Sequence, residues 1–466
     1  MGAVLALEWR LLTRDRPLLM ALGLLAAMLL ASVLAGASSD RAETRALTAA
    51  ATRVQAEWNA QPPKNPHDAA HYGMLVYRPQ APLQALEAGV LPYQGAVVML
   101  EAHRRNAPIL SPASVRNADS RYGGTRFSPL LQLAGGFLAL LVGYLVGSRE
   151  ARRGVLSLAL GAGARGGPLV AAKALVVLLA VTAAATPAFA VAFTSVAAGD
   201  ATARLTALTG ASLAHLFILA ALGVAAGAAW GRSRAALAAL ALMWALSSVV
   251  APRALDVITE RAVPLRQSTL DATIAADFAR GPDGHGDSEA NAVFERDILA
   301  RYGVATKEDL PVNFDALLMQ ADEEHRGGVY DQRLAEADQQ RQRQDAMRAL
   351  SWLIGPTPAM LDLSVRLASA DPSAQRRFDE AGEVFRRDLV RRLNLHMAEN
   401  SRTGDWGWSP ADGYYAGFDA FAPPRPRLVD DWPGAIPAAS ALAAWLALAL
   451  LALWGAARAL ERSLRR

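Results

Sequence analysis

Apolar runs and polar segments alternate along this chain. Six stretches contain no Asp, Glu, Lys or Arg: 17–39, 127–148, 174–199, 205–231, 235–252 and 432–457. A bilayer's hydrocarbon core of ~30 Å takes roughly 20 apolar residues in a helix, and one ion at its centre costs ~2.5–3.5 kcal/mol. The pattern therefore predicts six transmembrane helices: TM1 at 17–39, TM2 at 127–148, TM3 at 168–199, TM4 at 205–231, TM5 at 235–252 and TM6 at 432–457. Residues 1–16 precede them, and AVLALEWRLLTRDR at 3–16 reads as an amphipathic helix with Trp9 and leucines on one side and arginines on the other. Such a helix lies in the membrane interface rather than across it.

Small residues and prolines refine the spans. Gly143 and Gly147 near the end of TM2, and Gly223 and Gly227 in TM4, are spaced four apart, which lines them along one helix face suited to close packing in lipid. An Ala/Gly-rich composition without a specific seam gives the same spacing. Pro252 is expected to end TM5, whereas Pro187 falls within TM3, removes a backbone hydrogen bond and predicts a kink.

Two long polar segments remain. The segment 40–126 is rich in proline and reads as a small mixed module, with helix at Arg41–Asn59 and a short strand at Gly95–Leu100. The segment 253–431 reads as mostly helical. Ser288–Tyr302 is stopped by Gly303, a capped turn begins at Thr306, and Phe314–Ile354 forms a polar helix pair broken at Gly327-Gly328. Pro372–Glu399 places Phe378, Phe385, Leu389 and Leu393 on one stripe, read as core packing. Beyond Asn400 the aromatic run from Trp406 and Trp408 through Tyr414, Tyr415, Phe418, Phe421 and Trp432 suggests a belt at the headgroups. The fold class expected is mainly α, a polytopic membrane protein with six transmembrane helices. A small mixed α/β outer module follows the first, and a larger mostly helical outer domain lies between the fifth and sixth.

Charge then orients the spans. The chain has 466 residues, is 53% hydrophobic and only 19% charged, and contains no cysteine. Thiolate catalysis, Cys-ligated metals and disulfides are excluded, and a soluble enzyme or a nucleic-acid-binding domain is excluded as the main reading. Every second connection is basic: Arg10, Arg14 and Arg16 before TM1, the 149–167 loop with Arg149, Arg152, Arg153 and Arg165, then Arg232 and Arg234, and the 458–466 tail. By the positive-inside rule both termini face the cytoplasm, and 40–126 and 253–431 face outward. The latter carries 22 Lys and Arg against 31 Asp and Glu, so the net +4 reflects orientation rather than an anionic partner. Ala35-Gly36-Ala37 resembles a signal-peptidase site, but the preceding apolar run is longer than a signal peptide's, so TM1 is expected to be retained.

Two sequence elements carry a family resemblance. Leu7-Glu8-Trp9-Arg10-Leu11-Leu12 through Arg16, followed directly by a span, resembles the cytoplasmic elbow helix of ABC-2 type permeases. Ser148-Arg149-Glu150-Ala151-Arg152-Arg153-Gly154-Val155-Leu156, then Gly161-Ala162-Gly163-Ala164-Arg165 and Lys173, resembles that family's cytoplasmic loop, with Val155 and Ala172 in place of the commoner Thr and Gly. Tyr302-Gly303-Val304, Glu308-Asp309-Leu310-Pro311-Val312-Asn313 and Val329-Tyr330-Asp331 resemble the branch with a long outer insert of unassigned function before its last span. The resemblance implies a permease subunit of an ATP-driven transporter at the inner membrane, with ABC ATPase subunits and a second permease chain as partners. It implies that Arg149, Glu150, Arg152, Arg153, Gly154, Leu156 and Arg165 meet the ATPase. A plain positive-inside anchor would account for the same arginines. No G-x-x-x-x-G-K-[ST] loop is present, so ATP and Mg would be bound by the partner and this chain would not itself be an enzyme. The alternative is an assembly or mechanotransmission protein whose outer domains are moved without cargo crossing. Substrate identity and the direction of transport are left open.

Remaining candidates are sparse. His215 lies within TM4, where an ionisable side chain faces the bundle interior or a water-filled route, and with Pro187 it marks a possible substrate path; a packed neutral imidazole is the other reading. His67 and His71 are four apart, but Pro66 and the shorter Asp68 depart from the H-E-x-x-H pattern, so a solvated turn and no metal site are expected. His285 sits in Gly-Pro-Asp-Gly-His-Gly-Asp, which reads as a cation-binding loop or as a flexible linker.

Overall fold

The computed structural model describes residues 2–111, 126–149, 163, 165–231 and 233–463. The chain starts with α1 (Gly2–Leu12), and a three-residue turn leads to Asp15, whose carboxylate accepts the Leu18 amide and caps α2 (Arg16–Asn59). Pro17 occupies the first turn of α2, where its missing N–H costs nothing. Five more long apolar helices follow: α4 (Phe127–Gly147), α5 (Gly166–Ser195), α6 (Asp200–Trp230), α7 (Arg234–Ala245, continued through a π turn at Leu246–Val250 into α8, Ala251–Ala262) and α14 (Leu428–Ser463). The fold is mainly α, with six helices long and apolar enough to cross a membrane.

The bundle is built around α4 and α6, in each of which 61% of the most apolar window is buried, against 11% for the fifth such helix. At one end of the bundle lies α1, the elbow end. At the other lies a polar domain made from both long polar segments. From the first come the far half of α2, α3 (Pro66–Tyr72) and an antiparallel sheet of β1 (Met74–Tyr77), β2 (Val97–Glu101) and β3 (Arg104–Arg105), in which Met74 pairs with Leu100 and Leu100 with Arg105. From the second come α9 (Gln267–Phe278), α10 (Glu289–Tyr302), α11 (Phe314–Arg348), α12 (Pro356–Leu367) and α13 (Pro372–Asn400). The two segments share one core: Trp58, Ala69, Ala70, Met74 and Ala102 pack with Leu389, Val390, Leu393, Tyr415 and Phe418.

Several expectations change. The helix at Arg41–Asn59 is not separate, because no residue between 39 and 41 breaks α2. Pro252 does not end the helix; the π turn immediately before it accommodates the missing hydrogen bond and the helix runs on to Ala262. Gly327 and Gly328 do not break α11, which is one helix capped by the Asn313 side chain, since Gly327 is covered by the Arg387 guanidinium. The middle of the aromatic run after Asn400 is core rather than a headgroup belt: Tyr415 and Phe418 stand edge-on to Trp58, and Phe421 packs on Phe378 and Phe385, whereas Trp406 and Trp432 are exposed.

The largest correction concerns α12, which sequence reading placed in an outer domain clear of the spans. Its Met360, Leu363 and Leu367 belong to the same apolar core as Leu216, Leu219 and Ala438 of α6 and α14. The Leu367 carbonyl accepts from Arg204 near the start of α6, whereas Thr357 meets His215, eleven residues further along it. At 1.5 Å per residue, α12 therefore descends ~16 Å alongside α6. Just before α12, the Trp352 carbonyl accepts from Trp445 Nε1 at 2.7 Å and Gly355 lies against Ser247. The sequence did not announce this, because a twelve-residue helix is too short to register as a span.

Candidate functional site

Three polar arrangements are built into the apolar scaffold. The first is at the elbow end. Glu8 of α1 and Lys173 of α5 are almost completely buried and paired at 2.5 Å, and the Lys173 ammonium also donates to the Val146 carbonyl at 3.0 Å. Arg149 reaches the other Glu8 oxygen at 3.3 Å and approaches Asp15 at 3.9 Å. Two buried ions this close hold each other in place, because neither can lose its partner without standing uncompensated in a low-dielectric interior. The knot ties the elbow helix to the end of α4 and the start of α5, the two helices joined by the basic loop. Arg165 is exposed just before α5, and Gly166 donates to Glu461 near the end of α14. Glu150, Arg152, Arg153, Gly154 and Leu156 lie outside the described residues.

The second arrangement is the middle of the bundle. A Cβ on Gly143 would stand 2.5 Å from the Ala220 carbonyl oxygen, on Gly147 2.4 Å from that of Val224, on Gly223 2.2 Å from that of Leu140, and on Gly227 2.3 Å from that of Tyr144. The four glycines thus form one reciprocal seam in which α4 and α6 touch backbone to backbone. Tyr144 closes the seam at the elbow end by donating to the Gly231 carbonyl at 2.7 Å. His215 is fully buried beside Gly136, with Nε2 3.2 Å from the Thr357 hydroxyl, so it lies in a packed interior. Pro187 is accommodated within the single helix α5.

The third is the domain end. Arg204, fully buried in α6, pairs with Asp200 at 2.5 Å and with Asp431 of α14 at 2.8 Å, and Asp431 also takes Arg377 of α13 at 2.8 Å. This latch locks the starts of α6, α13 and α14 to the end of α12. Above it an open cavity of about 1300 Å³ lies between the sheet and helices α9, α11 and α13. Arginines and carboxylates alternate on its wall, where the buried Arg386 bridges Glu323 at 2.7 Å and Glu383 at 2.8 Å. Burial works to raise the Glu383 carboxyl, but hydrogen bonds from Arg386 and Arg387 outweigh it and hold the group below its usual range. Burial pushes Asp379 on the same wall up to about 6. At the rim of this cavity His71, His103 and His285 come together with His67.

Sequence reasoning found the glycines and quoted Glu8 within the elbow motif without giving it a partner, and it did not single out Arg204, His103 or Asp322. A signal was available for Arg204, a charge abutting the charge-free run 205–231. His67 is not in a solvated turn, since α3 forms with the Asn65 side chain as its cap and turns that imidazole inward.

A family model described as ABC-2 family transporter protein matches residues 2–274, more than half of the chain, and a domain of unknown function, DUF3526, matches residues 269–415. No curated protein and no solved structure matches the chain.

Proposed function

The chain belongs to the ABC-2 family of transporter proteins, and from that premise we propose that it couples a separate ATPase to movement of a substrate across or out of the inner membrane. The observation that carries the reading is the Glu8–Lys173–Arg149 knot. Force applied to the loop between α4 and α5 would reach the elbow helix and both flanking spans through the buried Glu8–Lys173 pair and the half-buried Arg149 that joins it. In this proposal the elbow end faces the cytoplasm with both termini, the ATPase binds ATP and Mg, and Glu150, Arg152, Arg153, Gly154, Leu156 and Arg165 form the surface it grips. The little-buried fifth span, with Leu242, Met243, Val249 and Val250 exposed, supports pairing with a second permease chain, the same or related.

A second reading is favoured by α12 and the Arg204–Asp431 latch. They connect the bundle to the domain so directly that an ATPase could move the domain without cargo crossing. Reconstitution with the co-purified ATPase separates the two. Transport predicts ATP-dependent flux in vesicles, whereas mechanical action predicts ATP-dependent change at the domain with none. In either case Glu150→Ala with Gly154→Trp, and separately Lys173→Met, should weaken ATPase association or its stimulation by the permease. Unchanged coupling in all of them would overturn the loop assignment.

A further inference from the structure

Four of the chain's seven histidines converge at the junction of the two polar segments. His67 and His71 are one turn apart on α3 and share a face. His103 occupies the tight turn between β2 and β3 with φ of 62°, a left-handed backbone unusual for a side chain of this size. His285 comes from the loop before α10, which Asn291 clasps by donating to the Asp283 and Gly286 carbonyls. Three of the four come from the first polar segment and His285 from the second, 182 residues beyond His103, yet all four ligand nitrogens lie within 4.8 Å of one another.

Their geometry is that of a coordination shell. Nε2 of His71 is 3.0 Å from Nε2 of His67, and Nε2 of His285 is 3.1 Å from Nε2 of His103. A tetrahedral ion with metal–nitrogen bonds of ~2.0–2.1 Å sets its donors ~3.3 Å apart. The six ring-centroid separations span only 4.4 to 5.5 Å, so the rings surround a centre instead of stacking in a row. His103 carries outer support: its Nδ1 is 2.8 Å from Asp322 Oδ2, its backbone N–H donates to Glu323, and Asp322 is held in turn by Arg326 at 2.5 Å. A carboxylate on Nδ1 fixes the tautomer that leaves the Nε2 lone pair facing the cluster.

We propose that His67, His71, His103 and His285 bind one divalent transition metal, zinc in a tetrahedral all-imidazole shell, and that this ion clamps the module around α3 and the sheet to the domain carrying α10 and α11. Three of the imidazoles are held toward the neutral form that ligation needs: burial first, and then the neighbouring rings, push His67 down to about 3, and burial and the same neighbours lower His71 and His285. Imidazole suits zinc and copper alike, but a tetrahedral rather than tetragonal set favours zinc. A shell with four protein ligands leaves no open position, which is the arrangement of structural rather than catalytic zinc. His71 and His285 are exposed at the cavity rim, so an ion can reach the site from solvent.

This proposal stands independently of the transport reading. Its test uses the full chain, purified in detergent and stripped with a chelator, with zinc alone as the probe and a competing indicator to read affinity. One zinc per chain should bind, and cobalt(II) in its place should show the intense visible bands of a tetrahedral ion. His71→Gln with His285→Gln alters only exposed rings and should lower zinc affinity at least 100-fold. Asp322→Asn should lower it ~10–100-fold by releasing His103. In chelator the double variant and the unaltered chain should melt alike, and added zinc should raise the melting temperature of the unaltered chain only. The proposal is overturned if the unaltered chain binds no zinc, the four rings then being two hydrogen-bonded pairs, or if the double variant binds it equally well.

Discussion

Where α4 crosses α6, two backbones touch through glycine; in the domain, α11 and α13 are joined by arginines bridging carboxylates. The contrast follows from the surroundings. Lipid gives apolar side chains no reason to prefer each other, so contact in the bundle is gained by letting backbones approach and their small attractions add. In the polar domain charged groups can be buried if each finds partners, and Arg386 finds Glu323, Glu383 and the Glu101 carbonyl. The seam is therefore limited by size and indifferent to charge. The domain is limited by charge pairing and more tolerant of size.

The sharpest way to break that comparison is at the seam. Gly143→Leu or Gly223→Leu would force a side chain onto a carbonyl oxygen that has no rotamer to yield, at a cost of at least about 3 kcal/mol each. A monodisperse detergent-purified protein should become aggregated, read by size-exclusion chromatography. In the domain the corresponding change is neutralisation. Arg386→Met should cost about 3–5 kcal/mol, because Glu323 and Glu383 are left facing each other while buried. Adding Glu323→Gln and Glu383→Gln to that variant should recover much of the loss, whereas no second substitution of charge should rescue the seam. Acid gives the smallest and most graded effect. Glu383, by the balance already described, and Asp331, through its hydrogen bonds from Arg387, are held below their usual values. Stability from such groups is complete above the unfolded carboxyl value near 4 and is lost as pH falls through the lower folded value. Protease sensitivity of the domain should therefore rise below about pH 4, before the helical signal of the bundle changes.

These two regions also differ in how legible they were. The glycine spacing, the elbow helix and six apolar helices could be read directly, because helical period and absence of charge are local properties. So could the helix from Ser288 to Tyr302 and its stop at Gly303; the structure makes Ser288 the cap and Gly303 left-handed. The four-histidine cluster was not legible as a unit. His67 and His71 share a turn, but His103 depends on a left-handed residue in a hairpin and His285 on a core joining the two polar segments. The α12 descent was hidden for a related reason: its partners Arg204 and His215 are distant in sequence, and its length says nothing about depth.

The absence of native cysteine makes the decisive measurement simple. Single substitutions Arg165→Cys, at the elbow end, and Ala305→Cys, on the exposed face of the domain, can be probed with a membrane-impermeant maleimide on intact spheroplasts. The proposed arrangement predicts that Ala305→Cys is labelled at once and Arg165→Cys only after the membrane is permeabilised. Labelling of Arg165→Cys from outside, with Ala305→Cys protected, would put the coupling loop on the wrong side of the membrane for an ATPase and contradict the account.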